Sequence, residues 1–431
     1  MRTKITNAQI ITVNVDNLII SSGSIVFEDG IIVEVNNDNA NETVCDRVID
    51  AQNKVLLPGL INTHTHTPMT LLRGYADDLG LEDWLNKVLP IERGFTAEDI
   101  ALGSELAIIE MLKNGITTFS DLYVHIETIA EKVNESGARA VLARSVIEDQ
   151  GNPTISEQKL AEATDNVRKL QGVANGRITM TMAPHSIYTC STEYLLKILE
   201  ISKQLTVPLQ IHLAESANEY AYSIEKFGVS PVKYLDSLGY FDHDILIAHA
   251  VYVDEEDINM LAAKGVKISH NPTSNLKLGN GIAPIMSYLD KGVIIGLGTD
   301  GAASNNSLDI FAEIKLTSLL QKGLNQNSSL LTASDVLRMG TINGAQALFL
   351  DKQLGSIEVG KKADFILLDF ENPRTKPDYS LIANLVYSAS SSQVTDVFID
   401  GQEIVRNREI LTLDVEKTLN KVTKLQKKLY N

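Results

Sequence analysis

The middle of the chain alternates between short apolar runs and longer segments in which apolar residues recur every three or four positions. The short runs, rich in Val, Ile and Leu, are typical of buried strands, and the longer segments are typical of amphipathic helices. We predict eight strands between residues 58 and 350: Gly59–Thr63, Thr117–Asp121, Arg139–Ala143, Ile178–Ala183, Leu209–His212, Ile245–Ala248, Val266–Ser269 and Val293–Gly298. Helices are expected between them, including Glu98–Lys113, Ser191–Lys203 and Glu255–Lys264.

This order of elements predicts an α/β fold in which a parallel sheet closes into a (β/α)8 TIM-like barrel. An open, doubly wound sheet is the structural alternative. That fold would need a glycine-rich phosphate loop after an early strand, and the sequence contains none.

The two ends of the chain have a different pattern, with short strands rich in Ile and Val that are broken by Asn, Asp and Gly. Asp29-Gly30 and Asp400-Gly401 are typical hairpin turns between such strands. Neither end is long enough to bury a good core alone. We therefore predict three segments: residues 1–57 and 351–431 together form a small β-sandwich module, and residues 58–350 form the barrel. Asp414–Tyr430 is expected to be a terminal amphipathic helix.

Composition narrows the classes of function. The 431 residues include 38 Lys and Arg against 55 Asp and Glu, a net charge of -17, which argues against a nucleic-acid partner. The two cysteines, Cys45 and Cys190, predict neither a disulfide scaffold nor a thiolate metal site. No apolar run reaches the roughly 20 residues of a membrane-spanning helix, and no signal peptide is evident. We expect a cytoplasmic protein, without a membrane partner, that forms a homo-oligomer.

Histidines follow several of the predicted strands. His64 and His66 follow the run PGLIN, and residues two apart in an extended segment share one face. His212 and His249 end PLQIH and DILIAH, and Asp300 ends VIIGLGTD. In a barrel these side chains all lie at the carboxyl ends of the strands, where barrels place their active sites. Imidazoles with one carboxylate suit a divalent ion such as Zn2+, with Fe2+ and Mn2+ as alternatives.

Glu215 lies three residues after His212 and can reach the same end of the barrel. A bound divalent ion can lower the pKa of water to about 7, and hydrolysis by such a site also needs a proton shuttle. A carboxylic acid near the ion is suited to that task. The alternative role for Glu215 is a solvent-facing residue at the start of a helix.

Five longer motifs carry a family resemblance: PGLINTHTH, PLQIHLAES, ILIAHAV, SHNPTSNLKLGNGIAP and GLGTDGAASNN. Together they resemble the amidohydrolase superfamily over nearly the whole chain. Within it they are most similar to the 5-methylthioadenosine/S-adenosylhomocysteine deaminase branch, which lies near the triazine hydrolases. Asn271–Pro284, inside the fourth motif, is expected to form an ordered loop over the mouth of the barrel.

The resemblance implies roles for individual residues. His64, His66, His212 and Asp300 match the metal ligands. Glu215 matches the acid that protonates the purine ring, Asp300 would also take a proton from water, and His249 matches a group that orients the attacking water or polarises its target. Binuclear members use a carboxylated Lys on the fourth strand. That strand here reads ITMTMAPHS, which implies one ion per subunit.

The resemblance also implies contacts to a nucleoside. Glu92 matches a residue that binds the ribose hydroxyls, and a carboxylate can accept from both of them. His185 matches a nucleoside contact, and Arg144 matches a residue that pairs with the homocysteine carboxylate. The sequence departs from the pattern after Arg144, because residues 148–158 contain no second Arg. Lys159 could replace it, and methylthioadenosine and adenosine become rival substrates.

The function that follows is hydrolytic deamination of an adenine nucleoside to the inosine analogue plus ammonia. One alternative is another amidohydrolase acting on a heterocycle, of the guanine deaminase or triazine chlorohydrolase type. A second alternative is a binding protein that keeps the barrel without catalysis. The metal ligands, with Glu215 and His249, favour an enzyme.

Overall fold

A computed structural model describes residues 1–37 and 43–429 of the protein. The chain begins with five strands: β1 (Arg2–Ile11), β2 (Ile19–Glu28), β3 (Ile31–Asn36), β4 (Arg47–Asp50) and β5 (Lys54–Pro58). Antiparallel β2 and β3 are joined by Asp29 and Gly30, whose φ angles of 48° and 81° are those that a two-residue hairpin turn needs.

Nine parallel strands follow and form the wall of a barrel: β6 (Leu60–Thr65), β7 (Ile116–Tyr123), β8 (Arg139–Val146), β9 (Ile178–Met180), β10 (Ala183–Pro184), β11 (Leu209–Leu213), β12 (Ile245–His249), β13 (Lys267–His270) and β14 (Ile294–Leu297). They form two sheets, β6-β7-β8 with β9 and β10 both on β8, and β11-β12-β13-β14, and a bridge between Met182 and Leu209 connects the sheets. On the other side, the N–H of Asp300 donates to the carbonyl oxygen of His64 at 2.9 Å, which connects the segment after β14 to β6.

Four short strands follow the barrel in the chain: β15 (Phe365–Asp369), β16 (Val394–Ile399), β17 (Gln402–Arg406) and β18 (Glu409–Ile410). They extend the sheet of the N-terminal strands to nine strands in the order β18-β17-β16-β15-β5-β1-β2-β3, with β4 also on β1. The two ends meet where β15 runs antiparallel to β5 and pairs Ile366 with Leu57. Neither set of strands therefore forms this sheet alone.

Helices connect the barrel strands and cover them on the outside. The α-helical segments are α1 (Leu81–Glu92), α2 (Ala97–Lys113), α3 (Ile126–Ser136), α4 (Pro153–Leu170), α5 (a left-handed turn, Val173–Gly176), α6 (Thr192–Leu205), α7 (Ala217–Phe227), α8 (Pro231–Ser237), α9 (Glu255–Ala263), α10 (Pro272–Lys277), α11 (Ile285–Asp290), α12 (Ala302–Asn305), α13 (Ile310–Leu324), α14 (Ala333–Met339), α15 (Ile342–Ala347), α16 (Leu381–Tyr387) and α17 (Val415–Leu429). Three 3-10 turns lie at Thr67–Leu72, Tyr240–Asp242 and Ser391–Gln393. No helix in the described ranges has the length and apolar content needed to cross a membrane.

The architecture confirms the predicted fold class, including the sheet shared by both chain ends. The fourth predicted strand, Ile178–Ala183, corresponds to β9 and β10, which pair with β8 in one register, Ile178 opposite Ala140 and Ala183 opposite Ser145. The terminal helix begins at Val415, and Tyr430, at its predicted end, lies outside the described residues. The segment boundaries at 57/58 and 350/351 stay predictions.

Candidate active site and metal centre

The first barrel strand carries two of the predicted ligands. The rings of His64 and His66 lie at the carboxyl end of β6, with centroids 4.8 Å apart. His66 Nδ1 is 2.7 Å from the carbonyl oxygen of Leu122 at the end of β7, so Nδ1 is the protonated nitrogen. The Nε2 lone pair of His66 is therefore available to an ion, in the manner of metal-binding histidines that are oriented through their second nitrogen.

His212, on β11, is held in the same way. Its Nδ1 donates to the carbonyl oxygen of His185 at 2.9 Å, and its Nε2 lies 3.4 Å from Nε2 of His66. Two hydrogen-bond donors would not face each other at this distance. Both Nε2 atoms are thus presented as lone-pair donors to a common centre.

Asp300 completes the set from the segment after β14, where its backbone has a φ of 60°. Its Oδ1 lies 3.5 Å from His64 Nε2 and 3.3 Å from His66 Nε2. Its Oδ2 accepts hydrogen bonds from the hydroxyls of Ser274 at 2.6 Å and Ser304 at 2.8 Å. Because these hydroxyls occupy Oδ2, Oδ1 is the oxygen that faces the histidines.

These four side chains fit a divalent ion. Nitrogen and oxygen ligand atoms form two overlapping groups, one of His64, His66 and His212 and the other of His64, His249 and Asp300, with each group's atoms within 4.8 Å of one another. His64 Nε2 is buried and has no hydrogen-bond partner. An uncompensated buried nitrogen is costly, and an ion at this position would satisfy it.

Electrostatics also agree with metal binding. Burial lowers the pKa of His212 well below its usual value and lowers that of His64 to about 4, so both are neutral ligands at neutral pH. Although burial opposes ionisation of Asp300, the nearby imidazoles of His64 and His66 hold its pKa well below the usual range. Burial also lowers the pKa of His66, but its hydrogen bond to Asp300 raises it to about 9. The carboxylate of Asp300 therefore attracts positive charge to the Nε2 side of these histidines.

His249 lies in the second of these groups and is therefore close enough to act as a ligand. It ends β12 with a φ of 77° and is 1% exposed. Its Nδ1 lies 2.8 Å from Oδ1 of Asn275, which fixes the proton on Nδ1 and leaves Nε2 as the acceptor. The predicted role of His249 in orienting water, rather than binding the ion, stays a prediction.

Glu215 lies beside His249, with Oε2 3.8 Å from His249 Nε2. Its Oε1 accepts a hydrogen bond from Asn280 at 2.9 Å, and burial raises its pKa. Glu215 is therefore a buried acid rather than the solvent-facing helix-start residue that the sequence left open. Its N–H donates at 2.8 Å to Oε2 of Glu219, a second buried acid that the sequence did not point to.

These residues face a cavity of about 370 Å3. Its wall includes all three predicted nucleoside contacts and Lys159: Glu92, Arg144, Lys159 and His185. The rest of the wall is largely apolar and includes Trp84, Leu89 and Phe95. Burial, with nearby His66 and His64, lowers the pKa of His185 to about 4, so His185 is neutral at physiological pH. Every predicted site residue except His64 lines this cavity, and the ring of His64 lies 4.8 Å from that of His66, which does line it. The individual roles of these residues stay predictions.

Sequence reasoning missed the side chains that hold these groups in place. Ser274, Asn275 and Asn280 all lie in the segment that was expected to be a loop over the mouth, and part of that segment is α10. The signal was the run of Ser and Asn in SHNPTSNLKLGNG. Ser and Asn are unusually frequent there for a segment with so many buried positions.

The barrel, the cluster of imidazoles with one carboxylate and the adjacent buried acid define a metal-dependent hydrolase. The sequence model of the amidohydrolase family matches residues 55–404. The chain therefore belongs to the amidohydrolase family, as its motifs predicted.

Relatives and solved structures agree with this assignment. The chain is 43% identical to 5-methylthioadenosine/S-adenosylhomocysteine deaminase of Syntrophomonas wolfei, over 100% of this chain and 99% of that protein. It is 43% identical to 5'-deoxyadenosine deaminase of Methanobrevibacter smithii, over 93% and 92% of the two chains. The structure of an adenosine deaminase from Xanthomonas campestris with bound zinc superimposes with a TM-score of 0.94 at 32% identity, over 99% and 98%. Within its family, this chain is a deaminase.

Proposed function

We propose that the protein is a zinc-dependent enzyme that deaminates adenine nucleosides by hydrolysis. The observation that carries the proposal is the position of a buried acid, Glu215, beside His249 and the metal cluster in a cavity that also contains Glu92. The names of the two relatives that are 43% identical, and of the zinc-containing structure, support the same reaction. Water and the adenine nucleoside would give the inosine analogue and ammonia.

His64, His66, His212 and Asp300 are proposed to hold one ion per subunit. Three imidazoles and one carboxylate are a donor set that Zn2+ favours, and the solved relative contains zinc. When bound, such an ion lowers the pKa of water to about 7 and so provides a nucleophile at neutral pH. The residues around it have to supply and remove protons.

Glu215 is proposed to protonate the purine ring nitrogen. A proton donor must hold its proton at working pH, and burial of Glu215 raises its pKa in the required direction. Asn280 donates to Oε1, so the proton of the acid form lies on Oε2, the oxygen nearer to His249. That proton would pass to the ring nitrogen as water adds at C6.

Asp300 and His249 are proposed to manage the protons of the attacking water. Ser274 and Ser304 fill the hydrogen-bonding capacity of Asp300 Oδ2, so Oδ1 is the acceptor on the side of the histidines. Asn275 fixes the His249 proton on Nδ1, so Nε2 can accept a hydrogen bond from water and orient it. Ammonia leaves when one proton taken from water reaches the amino group, and the second water proton, released as the C6 carbonyl forms, restores the acid form of Glu215.

A substrate panel tests this proposal. Zinc-loaded protein is mixed with adenosine, 5'-methylthioadenosine, S-adenosylhomocysteine, guanine and cytosine, and ammonia release is measured together with the ultraviolet change from adenine to hypoxanthine. We expect turnover of adenine nucleosides and none of cytosine. Glu215→Gln is the matched control, because it keeps an oxygen for Asn280 and loses the proton donor. Zinc-loaded protein that turns over guanine but no nucleoside would contradict the proposal.

Glu92 separates a nucleoside deaminase from an enzyme for free bases. We expect Glu92→Gln to lower kcat/KM for adenosine by about tenfold or more. The amide has one acceptor oxygen in place of two, so it cannot accept hydrogen bonds from both ribose hydroxyls as the carboxylate can. Activity on free adenine, if present, should change by less than twofold. An equal loss on both substrates would place Glu92 outside ribose recognition.

The predicted homo-oligomer stays a prediction that light scattering can test.

A further inference from the structure

Glu313, on α13, is a buried acid that lies outside the substrate cavity. It is 1% exposed, and it is not among the residues of the cavity wall. Its two oxygens accept hydrogen bonds from two different segments: Oε2 accepts the N–H of Thr273 at 3.2 Å, and Oε1 accepts a hydrogen bond from Nδ2 of Asn305 at 2.8 Å. Because a buried carboxyl group is costly without such partners, these bonds hold both segments against α13.

Each of the two segments supplies a hydroxyl to Asp300. Thr273 precedes Ser274 in α10, and Asn305 follows Ser304 in α12. The hydroxyls of Ser274 and Ser304 donate to Oδ2 of Asp300 at 2.6 Å and 2.8 Å. The orientation of the Asp300 carboxylate, with Oδ1 toward the histidines, therefore depends on where α10 and α12 lie.

Asn305 makes a second connection to Asp300, through the backbone. Its Nδ2 also donates to the carbonyl oxygen of Thr299, the residue before Asp300, at 2.7 Å. Asp300 itself has a left-handed backbone conformation, with a φ of 60°. The contact between Glu313 and Asn305 thus bears on both the side chain and the backbone of Asp300.

From this arrangement we propose that Glu313 is a positioning residue for the metal centre. Through α10 and α12 it holds Asp300 with Oδ1 toward His64 and His66, and so strengthens binding of the ion. Groups that hydrogen-bond to metal ligands orient them and raise metal affinity, and Glu313 acts one contact further out. The inference rests on the proposed function, because the ion is part of it.

The test compares the zinc affinity of wild type and Glu313→Gln, measured by competition with a chelator in the absence of substrate. Both groups that face Glu313 are donors, and Gln offers them one oxygen and one NH2 group, so one of the two bonds is lost. We expect the Kd for zinc to rise about tenfold, the lower end of the range for groups that orient metal ligands. At saturating zinc, kcat for the best substrate of the panel should fall by up to about tenfold with KM within twofold.

Asp257→Asn is the matched control. Asp257 is also a buried acid, 0% exposed, and it accepts hydrogen bonds from the hydroxyl of Ser230 at 2.5 Å and the N–H of Asp254 at 3.2 Å. The variant loses a buried carboxyl group on α9, and Asp257 has no hydrogen bond to α10 or α12 among those of the described residues. We expect its Kd for zinc and its kcat to stay within twofold of wild type.

A second background separates positioning from a general loss of stability. In the double variant Ser274→Ala, Ser304→Ala, the hydroxyls through which Glu313 acts are absent, so adding Glu313→Gln should raise the Kd for zinc by about threefold or less. Asn305→Ala removes one of the two bonds and keeps Glu313. It should raise the Kd about threefold, and it applies the same criterion if Glu313→Gln does not fold.

A Kd for zinc within twofold of wild type in Glu313→Gln and Asn305→Ala would overturn the inference. The same tenfold rise in the background without the two hydroxyls would overturn it too, because Glu313 would then act through overall stability. Failure of the proposed function alone would appear as zinc-loaded wild type that releases no ammonia from any nucleoside. Wild type that binds no zinc would overturn both.

Discussion

Glu219, a buried acid next to the proposed proton donor Glu215, allows a direct test of how far burial raises the pKa of a carboxyl group in this part of the protein. The residue lies on α7 and is 4% exposed. One oxygen accepts the N–H of Glu215 at 2.8 Å, and the other is buried without a partner. Burial, together with the like charge of the neighbouring Glu215 carboxylate, raises the pKa of Glu219 to about 8. We predict that Glu219→Gln stabilises the protein increasingly as pH rises.

The sign follows from proton linkage. In the unfolded chain Glu219 has its ordinary pKa of 4.5, so folding keeps a proton on it between pH 4.5 and about 8. The wild type therefore loses stability as pH rises through this window, by about 1.4 kcal/mol per pH unit. The loss is complete above pH 8 and amounts to at most about 5 kcal/mol. Gln keeps an oxygen for the N–H of Glu215 and carries no charge, so the variant has no such loss.

Urea unfolding at pH 5, 7 and 9 measures the difference in free energy of unfolding between the two proteins. We expect a small difference at pH 5 and a gain for the variant of several kcal/mol at pH 9. Glu225→Gln, an exposed change on the same helix, should show no trend with pH. A difference that is constant from pH 5 to 9 would refute the reasoning, because Glu219 would then ionise in the folded protein as it does in the unfolded chain.

Three further predictions concern the metal and the groups beside it. His212→Ala should lower the number of bound divalent ions from about one per chain to near zero, as measured by plasma mass spectrometry after dialysis. His125→Ala, a change at an exposed histidine, should retain the ion. Glu215→Gln should lower kcat by about 100-fold or more with an unchanged metal content, and a metal loss would make Glu215 a ligand instead. Asn275→Ala should lower kcat about tenfold with KM and metal content unchanged, because His249 loses the partner that fixes its tautomer. A fall in metal content would instead identify His249 as a ligand.

The fold and the inner part of the site were predictable because both follow from strand geometry. Side chains alternate along a strand, so His64 and His66 had to share a face, and parallel strands end at the same edge, so His212 and Asp300 had to join them. Apolar runs flanked by turn residues located the strands to within a few residues.

The supporting groups were not predictable in this way. Asn275 and Asn280 reach His249 and Glu215 from another segment of the chain, and nothing in their local sequence specifies that contact. Glu219 read as an ordinary residue of a helix's first turn, where acids are common. Its carboxylate is buried against the segment between β11 and α7, where it accepts the N–H of Glu215.

The charges inside the cavity bear on the proposed reaction. The chain carries a net charge of -17, yet the cavity wall contains three carboxyl side chains, Glu92, Glu215 and Asp300, and three cationic side chains, Arg93, Arg144 and Lys159. Asp300 lies 3.3 Å from His66 Nε2, and burial raises the pKa of Glu215, which favours its acid form. The rest of the wall is largely apolar, with Trp84, Leu89 and Phe95 among its residues. Such a cavity suits a neutral heterocycle that receives a proton from Glu215, which is why a change at Glu215 should stop the reaction.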